Sequence, residues 1–420
     1  MKRVRLGDVA DVEISGIDKK TKENEKSVRL CNFVDVYYNW AITKNMYDGL
    51  MPASASDSDI ETFILRKGQV AITKDSETRE DIGVAAYIAD DFDDVVLGYH
   101  CALITPKNDI PEEDRIYGKY LNAILHTKYA QKHFSNNATG SGQRYTLSKE
   151  AVEDMIVYLP SLKEQECIGN YLSDIDHKIE LNHLINDKLV ALAKQIYDYW
   201  FVQFDFPNED GKPYKSSGGK MVWNETLKRE IPEGWSEINL FDALDVLYGY
   251  PFATEYFTEE PQYKPVVRIR DILEGKNSTF TSEEVDEKYK LQEEDAVIGM
   301  DGNFHINIWH RNDTYLNQRC VRLRVKDGER VTILQAYFAI KPYLKAKEKV
   351  TKGSTVGHLS DKDLKEFFLV NPSYTSHFTP HPLIEITKNI VAKRKEVNDL
   401  QSLRSYLLPL LMNGQITIKD

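Results

Sequence analysis

The sequence predicts an α+β fold: two tandem mixed α/β domains joined by two long antiparallel helices that form a coiled-coil spacer. Three observations carry that prediction. The chain repeats itself in the same direction, a 3.5-residue apolar spacing follows the first repeat, and a second long amphipathic stretch follows the second. Leu6-Gly7-Asp8 answers Leu240-Phe241-Asp242, and Thr73-Lys74-Asp75 after an apolar run answers Gly299-Met300-Asp301. His100-Cys101 answers Arg319-Cys320, Leu147-Ser148 answers Leu359-Ser360, and the strand before Pro160 answers the strand before Pro372. A period of roughly two hundred residues is too long for a solenoid and means two homologous domains.

The first domain is assigned to 1–160. Its β-branched and aromatic runs predict strands over 28–34, 63–65, 70–72 and 102–104. Residues 117–134 read as one amphipathic helix with Tyr120, Leu121, Ile124, Leu125 and Tyr129 on a single face. Tyr37, Tyr38 and Trp40 read as core and hairpin residues. The central helix, 161–203, carries Ile168, Leu172, Ile175, Ile179, Asn182, Asn186, Leu189, Ala193, Ile196 and Trp200 at coiled-coil spacing. The two asparagines are the kind that fixes register at some cost in stability. A linker, 204–235, rich in Gly, Ser and Pro leads to the second domain, 236–372. The last region, 373–420, contains a helix over about 382–412. Its apolar stripe comprises Ile386, Ile390, Val397, Leu400, Leu403, Leu407 and Leu411, and Asn413-Gly414 stops it.

Apolar content of 41% and charged content of 29% fit a globular protein. No stretch approaches bilayer-spanning length and the first residues lack an apolar signal region, so a cytoplasmic location is expected. Four scattered cysteines without a C-x-x-C pair argue against a disulfide framework and a zinc site. The net charge of −12 weighs against a protein that grips phosphates by itself. It still permits a local basic groove, with partner subunits supplying positive surface.

Tempting catalytic strings dissolve on inspection. Asn371-Pro372-Ser373-Tyr374 is similar to the adenine-methyltransferase motif that holds a flipped base. The repeat aligns it with Leu159-Pro160-Ser161-Leu162, which supports only a strand-to-helix turn. Gly219-Lys220 lacks both the first glycine and the Ser or Thr of a P-loop. The histidines show no metal spacing, and no metal site is expected.

Leu159-Pro160-Ser161-Leu162-Lys163-Glu164-Gln165 leading into Ile168, Leu172 and Ile175 resembles the central region of specificity subunits of Type I restriction–modification systems. Phe204-Asp205-Phe206-Pro207, Gly211-Lys212-Pro213-Tyr214, Met221-Val222-Trp223 and Ile231-Pro232-Glu233-Gly234-Trp235 resemble that family's inter-domain signature. Leu407-Leu408-Pro409-Leu410-Leu411 with Gly414-Gln415-Ile416 is similar to its carboxyl-terminal region. The chain departs from the pattern in starting directly at Val4-Arg5-Leu6 and in the segment from Pro372 to Pro380. The resemblance implies two target recognition domains, each reading one half of a split double-stranded DNA target. It implies helices that set the spacer, two docked methyltransferase (modification) subunits, and motor-nuclease (restriction) subunits in the full complex. No catalysis and no cofactor are implied for this chain; S-adenosylmethionine belongs to the methyltransferase partners. A specificity subunit for a fused methylase–nuclease, or a protein–protein scaffold without a DNA role, remain as alternatives.

For DNA contact, the polar loops at matching places in the repeats are favoured: Thr139, Ser141, Gln143 and Arg144 in one, Lys352, Ser354, Thr355 and His358 in the other. Glycines beside them allow backbone N–H groups to approach phosphates. Base edges require Arg, Lys, Asn or Gln within reach of the major groove. Lys44, Asn45, Lys74 and Arg79 are the candidates in the first domain; Arg268, Arg270, Asn303, His305 and Arg319 are those in the second.

Overall fold

The protein is described from a computed structural model covering residues 2–142, 144–326, 331–351, 357–375 and 377–418, without the side chains of 350 and 351. The chain divides into two compact units, one formed by the residues up to Glu180 together with those from Asp399 onward, the other by Leu181–Asn398. Both long helices are therefore shared between units.

The first unit is built on a five-stranded sheet in the order Ala10–Ile14, Cys101–Pro106, Val70–Thr73, Ala85–Ile88, Ala41–Ile42. Neighbours are antiparallel except for the last pair. Val70–Thr73 and Ala85–Ile88 are buried along their whole length, as continuous short apolar runs should be. A second layer joins Met51–Ala55, Lys26–Cys31 and Val95–Leu97, the last two in parallel. Lys2–Arg5 pairs with Ile156–Leu159 to close the domain.

Four expectations for this region are corrected. The strand expected over 28–34 stops at Cys31, because the Asn32 N–H donates to Asp35 Oδ2 at 2.7 Å and turns the chain into the short helix Phe33–Tyr38. Phe63 ends the helix Asp57–Phe63, whose first turn is capped by Ser56; only Ile64 bridges to a strand, at Val96. The single helix over 117–134 is two, Gly118–Leu125 and Lys128–Asn137. Thr127 makes the break: its hydroxyl donates to the Ile124 carbonyl and accepts from the Ala130 N–H, which leaves Tyr129 exposed. Tyr38 is 78% exposed instead of buried, whereas Trp40 is in the core as expected.

The second unit repeats the plan. Leu244–Tyr248, Cys320–Val325, Ala296–Gly299 and Ile306–Ile308 form an antiparallel sheet in the order of the first four strands above. Leu323 faces Ala296 as Ile104 faces Val70. Lys264–Val267 lies parallel to Tyr315–Leu316, as Lys26–Cys31 does to Val95–Leu97. Ser236–Asn239 closes on Phe368–Asn371. The stretch expected to be a linker is folded: Phe206, Trp235 and Phe378 stack at centroid distances of 4.5–5.5 Å, and Met221–Asn224 forms a hairpin with Arg229–Pro232. Aromatic burial outweighs the Gly and Ser content there.

The central helix runs Leu162–Tyr197 and continues as a π turn over Asp198–Val202. The predicted seam is its buried or half-buried face throughout, including Asn182 and Asn186. In the first unit Leu172 shares a cluster with Leu408 and Leu411, and Asp176 accepts from Arg404. Numbers rise along one helix as they fall along its partner, so the two are antiparallel. In the second unit Leu189, Val190, Ala193 and Ile196 pack with Leu383, Ile386, Ile390 and Val391 of the helix His381–Met412. The predicted stripe of this helix needs one change. Leu403 is 40% exposed, and Arg404 faces inward over the Trp40 ring at 4.4 Å. The seam runs Val397, Arg404, Leu408, Leu411; Leu403 is about 100° away from it on a 3.6-residue helix. No described helix is long and apolar enough to cross a membrane.

Candidate functional site

In the first domain three segments converge on Asp75. The strand Val70–Thr73 delivers it; the Lys74 N–H donates to the His100 carbonyl at 2.9 Å, and the Leu147 N–H to the Lys74 carbonyl at 2.8 Å. Asp75 Oδ2 lies 2.8 Å from Lys74 Nζ and 2.7 Å from His100 Nδ1. Burial raises the Asp75 carboxyl, but hydrogen bonds from His100, Lys74 and Thr146 prevail and hold it below its usual range. Beside it, Thr139–Ser141 pairs with Arg144–Thr146, which pairs in turn with Asp75–Ser76. Gly140 turns at φ 120°, and a Cβ there would meet the Arg144 carbonyl at 2.2 Å. Thr139, Ser141 and Arg144 are exposed, and the Arg79 guanidinium sits 5.0 Å over the Tyr145 ring.

The second domain repeats this frame with other side chains. The Met300 N–H donates to the Arg319 carbonyl at 2.9 Å and the Leu359 N–H to the Met300 carbonyl at 2.8 Å. Asp301 Oδ2 is 2.9 Å from Arg319 Nη1, and Asp301 Oδ1 is 2.6 Å from His358 Nδ1. Asp301 thus stands where Asp75 does, Arg319 where His100 does, and His358 where Thr146 does. Gly302, at φ 70°, exposes the adjoining Asn303. The turn carrying Arg268 and Arg270 packs on the same corner, since a Cβ on Gly299 would lie 3.1 Å from Ile269. Arg268 extends over the Phe257 ring at 5.8 Å, and Arg270 donates to Thr279 at 3.0 Å. Burial pushes the thiols of Cys101 and Cys320, which underlie the two corners, up to about 12, so they are inert packing groups.

The structure therefore gathers Lys74, Arg79, Thr139, Ser141 and Arg144 in one place, and Arg268, Arg270, Asn303, Arg319 and His358 in another. His305 is half-buried, with its carbonyl accepting from the Gly299 N–H. Lys44 and Asn45 stand apart: the Lys44 N–H donates to Asp90, and Asn45 joins Thr43 on Glu180 of the central helix at 3.0 Å. Gln143, Lys352, Ser354 and Thr355 lie outside the described residues. Sequence reasoning passed over Asp75, Asp301 and His100. The signal was present, since the acid recurs after the same strand in both repeats. Among the described residues no group of His, Cys, Asp or Glu could hold a metal ion.

Chemically, each corner offers hydrogen-bond donors and an imidazole around one partly shielded carboxylate. Residues 1–191 and 232–373 match the family of the Type I restriction modification DNA specificity domain. The Type I restriction enzyme MjaIX specificity subunit of Methanocaldococcus jannaschii is 25% identical over 325 residues, covering 75% of this chain and 72% of that protein. The EcoBI specificity subunit of Escherichia coli is 32% identical over 142 residues, 34% of this chain and 30% of that protein. A crystal structure of the S subunit of a Type I restriction–modification system from M. genitalium shares the fold, with a TM-score of 0.52 at 14% identity over 100% of this chain and 96% of that one. With both repeats matched, in order and over well over half of its length, the chain belongs to the specificity subunits of Type I restriction–modification systems.

Proposed function

We propose that this chain is the non-catalytic, sequence-reading subunit of its complex, with each domain contacting one half of a bipartite duplex target. The observation that carries the reading is the recurrence of one polar corner, Asp75 in one domain and Asp301 in the other, on matching backbone frames. Two copies of one reading head suit two half-sites, as paired modules suit half-sites in dimeric repressors. Phosphate contacts fall to Thr139, Ser141, Gln143 and Arg144 and to Lys352, Ser354, Thr355 and His358. Base contacts fall to Lys74, Arg79, Arg268, Arg270, Asn303 and Arg319. Lys44, Asn45 and His305 are weaker members of that set, because their contacts run to Asp90, to Glu180 and into the sheet.

The helices act as the ruler and as the docking surface for two modification subunits, with motor-nuclease subunits joining in the restriction complex. The 36-residue central helix is about 54 Å long at 1.5 Å per residue, on the order of one and a half DNA turns. S-adenosylmethionine binds to the modification subunits, this chain takes no cofactor, and the assembly works in the cytoplasm. The test is footprinting with the modification subunits present. Two protected blocks separated by an unread spacer are expected; absence of sequence-selective protection on genomic DNA overturns the reading. Deleting one heptad within 168–200 changes the spacer and leaves the half-sites intact.

A further inference from the structure

We infer that Asp75 and Asp301 are positioning residues that present one repeat-equivalent side chain, His100 in the first domain and Arg319 in the second, to a base edge, so that this position sets part of each half-site's specificity. The inference rests on the reading of the chain as a DNA specificity subunit. Four observations support it. His100 and Arg319 occupy the same backbone place, each accepting a 2.9 Å hydrogen bond from the residue before the aspartate. In both domains the acid lies deeper than its partner: side-chain exposures are 12% for Asp75 against 28% for His100, and 24% for Asp301 against 59% for Arg319. Each acid is itself fixed by a second group, Lys74 in one domain and His358 in the other. And the presented chemistry differs between domains while the frame does not.

An aspartate accepting from His100 Nδ1 selects the tautomer with the proton on that nitrogen, in which Nε2 is free to accept. An acceptor suits the exocyclic amine of adenine or cytosine in the major groove. Arg319 has donors only, and with Nη1 committed to Asp301 its remaining N–H groups suit guanine O6 and N7. Like frames thus give the two heads unlike preferences.

The test uses the full chain assembled with its modification subunits. Mapping of methylated bases in the source cells defines the target, and the probes are duplex oligonucleotides with that target and every single-base variant of it. Asp75→Asn is expected to reduce discrimination roughly tenfold at positions in one half-site only, and Asp301→Asn to do so in the other. His100→Gln and Arg319→Lys, which leave the acids and the sheet in place, reproduce the same two half-site patterns. A purely structural role would weaken all probes together and lower the thermal midpoint. Unchanged discrimination in the variants, or equal loss in both half-sites, overturns the inference while the wild type still selects its target. A wild-type complex that selects no sequence overturns the underlying reading as well.

Discussion

The two domains share a strand register and differ in what fills it. Gln69 and Thr105 face each other across the first sheet, joined by a neutral hydrogen bond of 2.9 Å. At the equivalent places the second sheet has Asp295 and Arg324, an ion pair with two contacts of 2.7 Å, and the aspartate is 1% exposed. Two residues earlier, Leu103 lies in the first core, whereas Arg322 is buried in the second, bonded to Asp245 and to the Lys288 carbonyl. Arg322 and Arg324 also line an open cavity of about 900 Å³ in the second domain, together with Asp245, Lys288 and Lys290. Duplicated sheets retain backbone pairing and exchange whole sets of core partners together. A buried charge appears only where its counter-charge has arrived with it.

The largest expected break in this comparison is Arg324→Ala. It removes the guanidinium bonded to the buried Asp295, leaving only the more distant Arg322 as counter-charge, and should cost about 3–5 kcal/mol. Thr105→Ala, which removes the neutral partner of Gln69, should cost about 1–3 kcal/mol. Hydrogen exchange resolved by domain separates the two, and the double change Asp295→Gln with Arg324→Thr should recover most of the loss. A contrast of similar origin sits on the C-terminal helix. Arg404→Ala should cost about 3 kcal/mol, because burial pushes the Asp176 carboxyl up to about 6 even with that guanidinium beside it. The measurement is the unfolding free energy in denaturant.

Acid sharpens the comparison further. Burial lowers His310 to about 4 and His126 to about 3, so both are neutral when folded and take up a proton on unfolding below about 6.5. Each domain should therefore lose stability as pH falls from 6.5 toward those values. Below about 4 each domain should also lose the contribution of a carboxylate held below its usual range, Asp75 in the first and Asp363 in the second. Burial raises the Asp363 carboxyl, but hydrogen bonds from Lys347 and Ser360 outweigh that and hold it at about 2. The stability it contributes is complete above its ordinary 3.8 and disappears as pH falls toward 2. Ala151 holds the equivalent place in the first domain, after the same serine cap. Asp363→Ala should flatten this last loss, read as protection in the second domain between pH 4 and 2. The smallest effect belongs to Leu403→Ala. On its exposed side of the helix it should change stability by no more than about 0.5 kcal/mol, despite its apolar character.

Architecture was legible because it rests on periodicity. The same-direction repeat, the heptad positions from Ile168 to Trp200 and the stop at Asn413-Gly414 are all one-dimensional signals that survive into three dimensions. Misreadings came where a single polar side chain redirects the backbone. Asp35 ends a strand, Thr127 splits a helix, and Arg404 takes a seam position because Asp176 and Trp40 await it from other segments. The polar corners were half legible. Lys74 and Arg319 were named as donors to base edges and His358 for its place in a polar loop, yet Asp75 and Asp301 were passed over, since an acid is a poor candidate for touching phosphate. Its value lies in what it holds, and that appears only when distant segments meet.

The helix that begins at His381 packs its final turns into the first domain. Leu408 and Leu411 cluster with Trp40, Ala123 and Leu172, and Met412 rests against the core of the larger sheet there. During synthesis, then, the domain translated first is sealed last, by residues that leave the ribosome after the whole second domain. Its hydrophobic flank stays open on the nascent polypeptide for that interval. A premature stop beyond the second domain would damage the opposite half of the molecule from the one it adjoins in the gene.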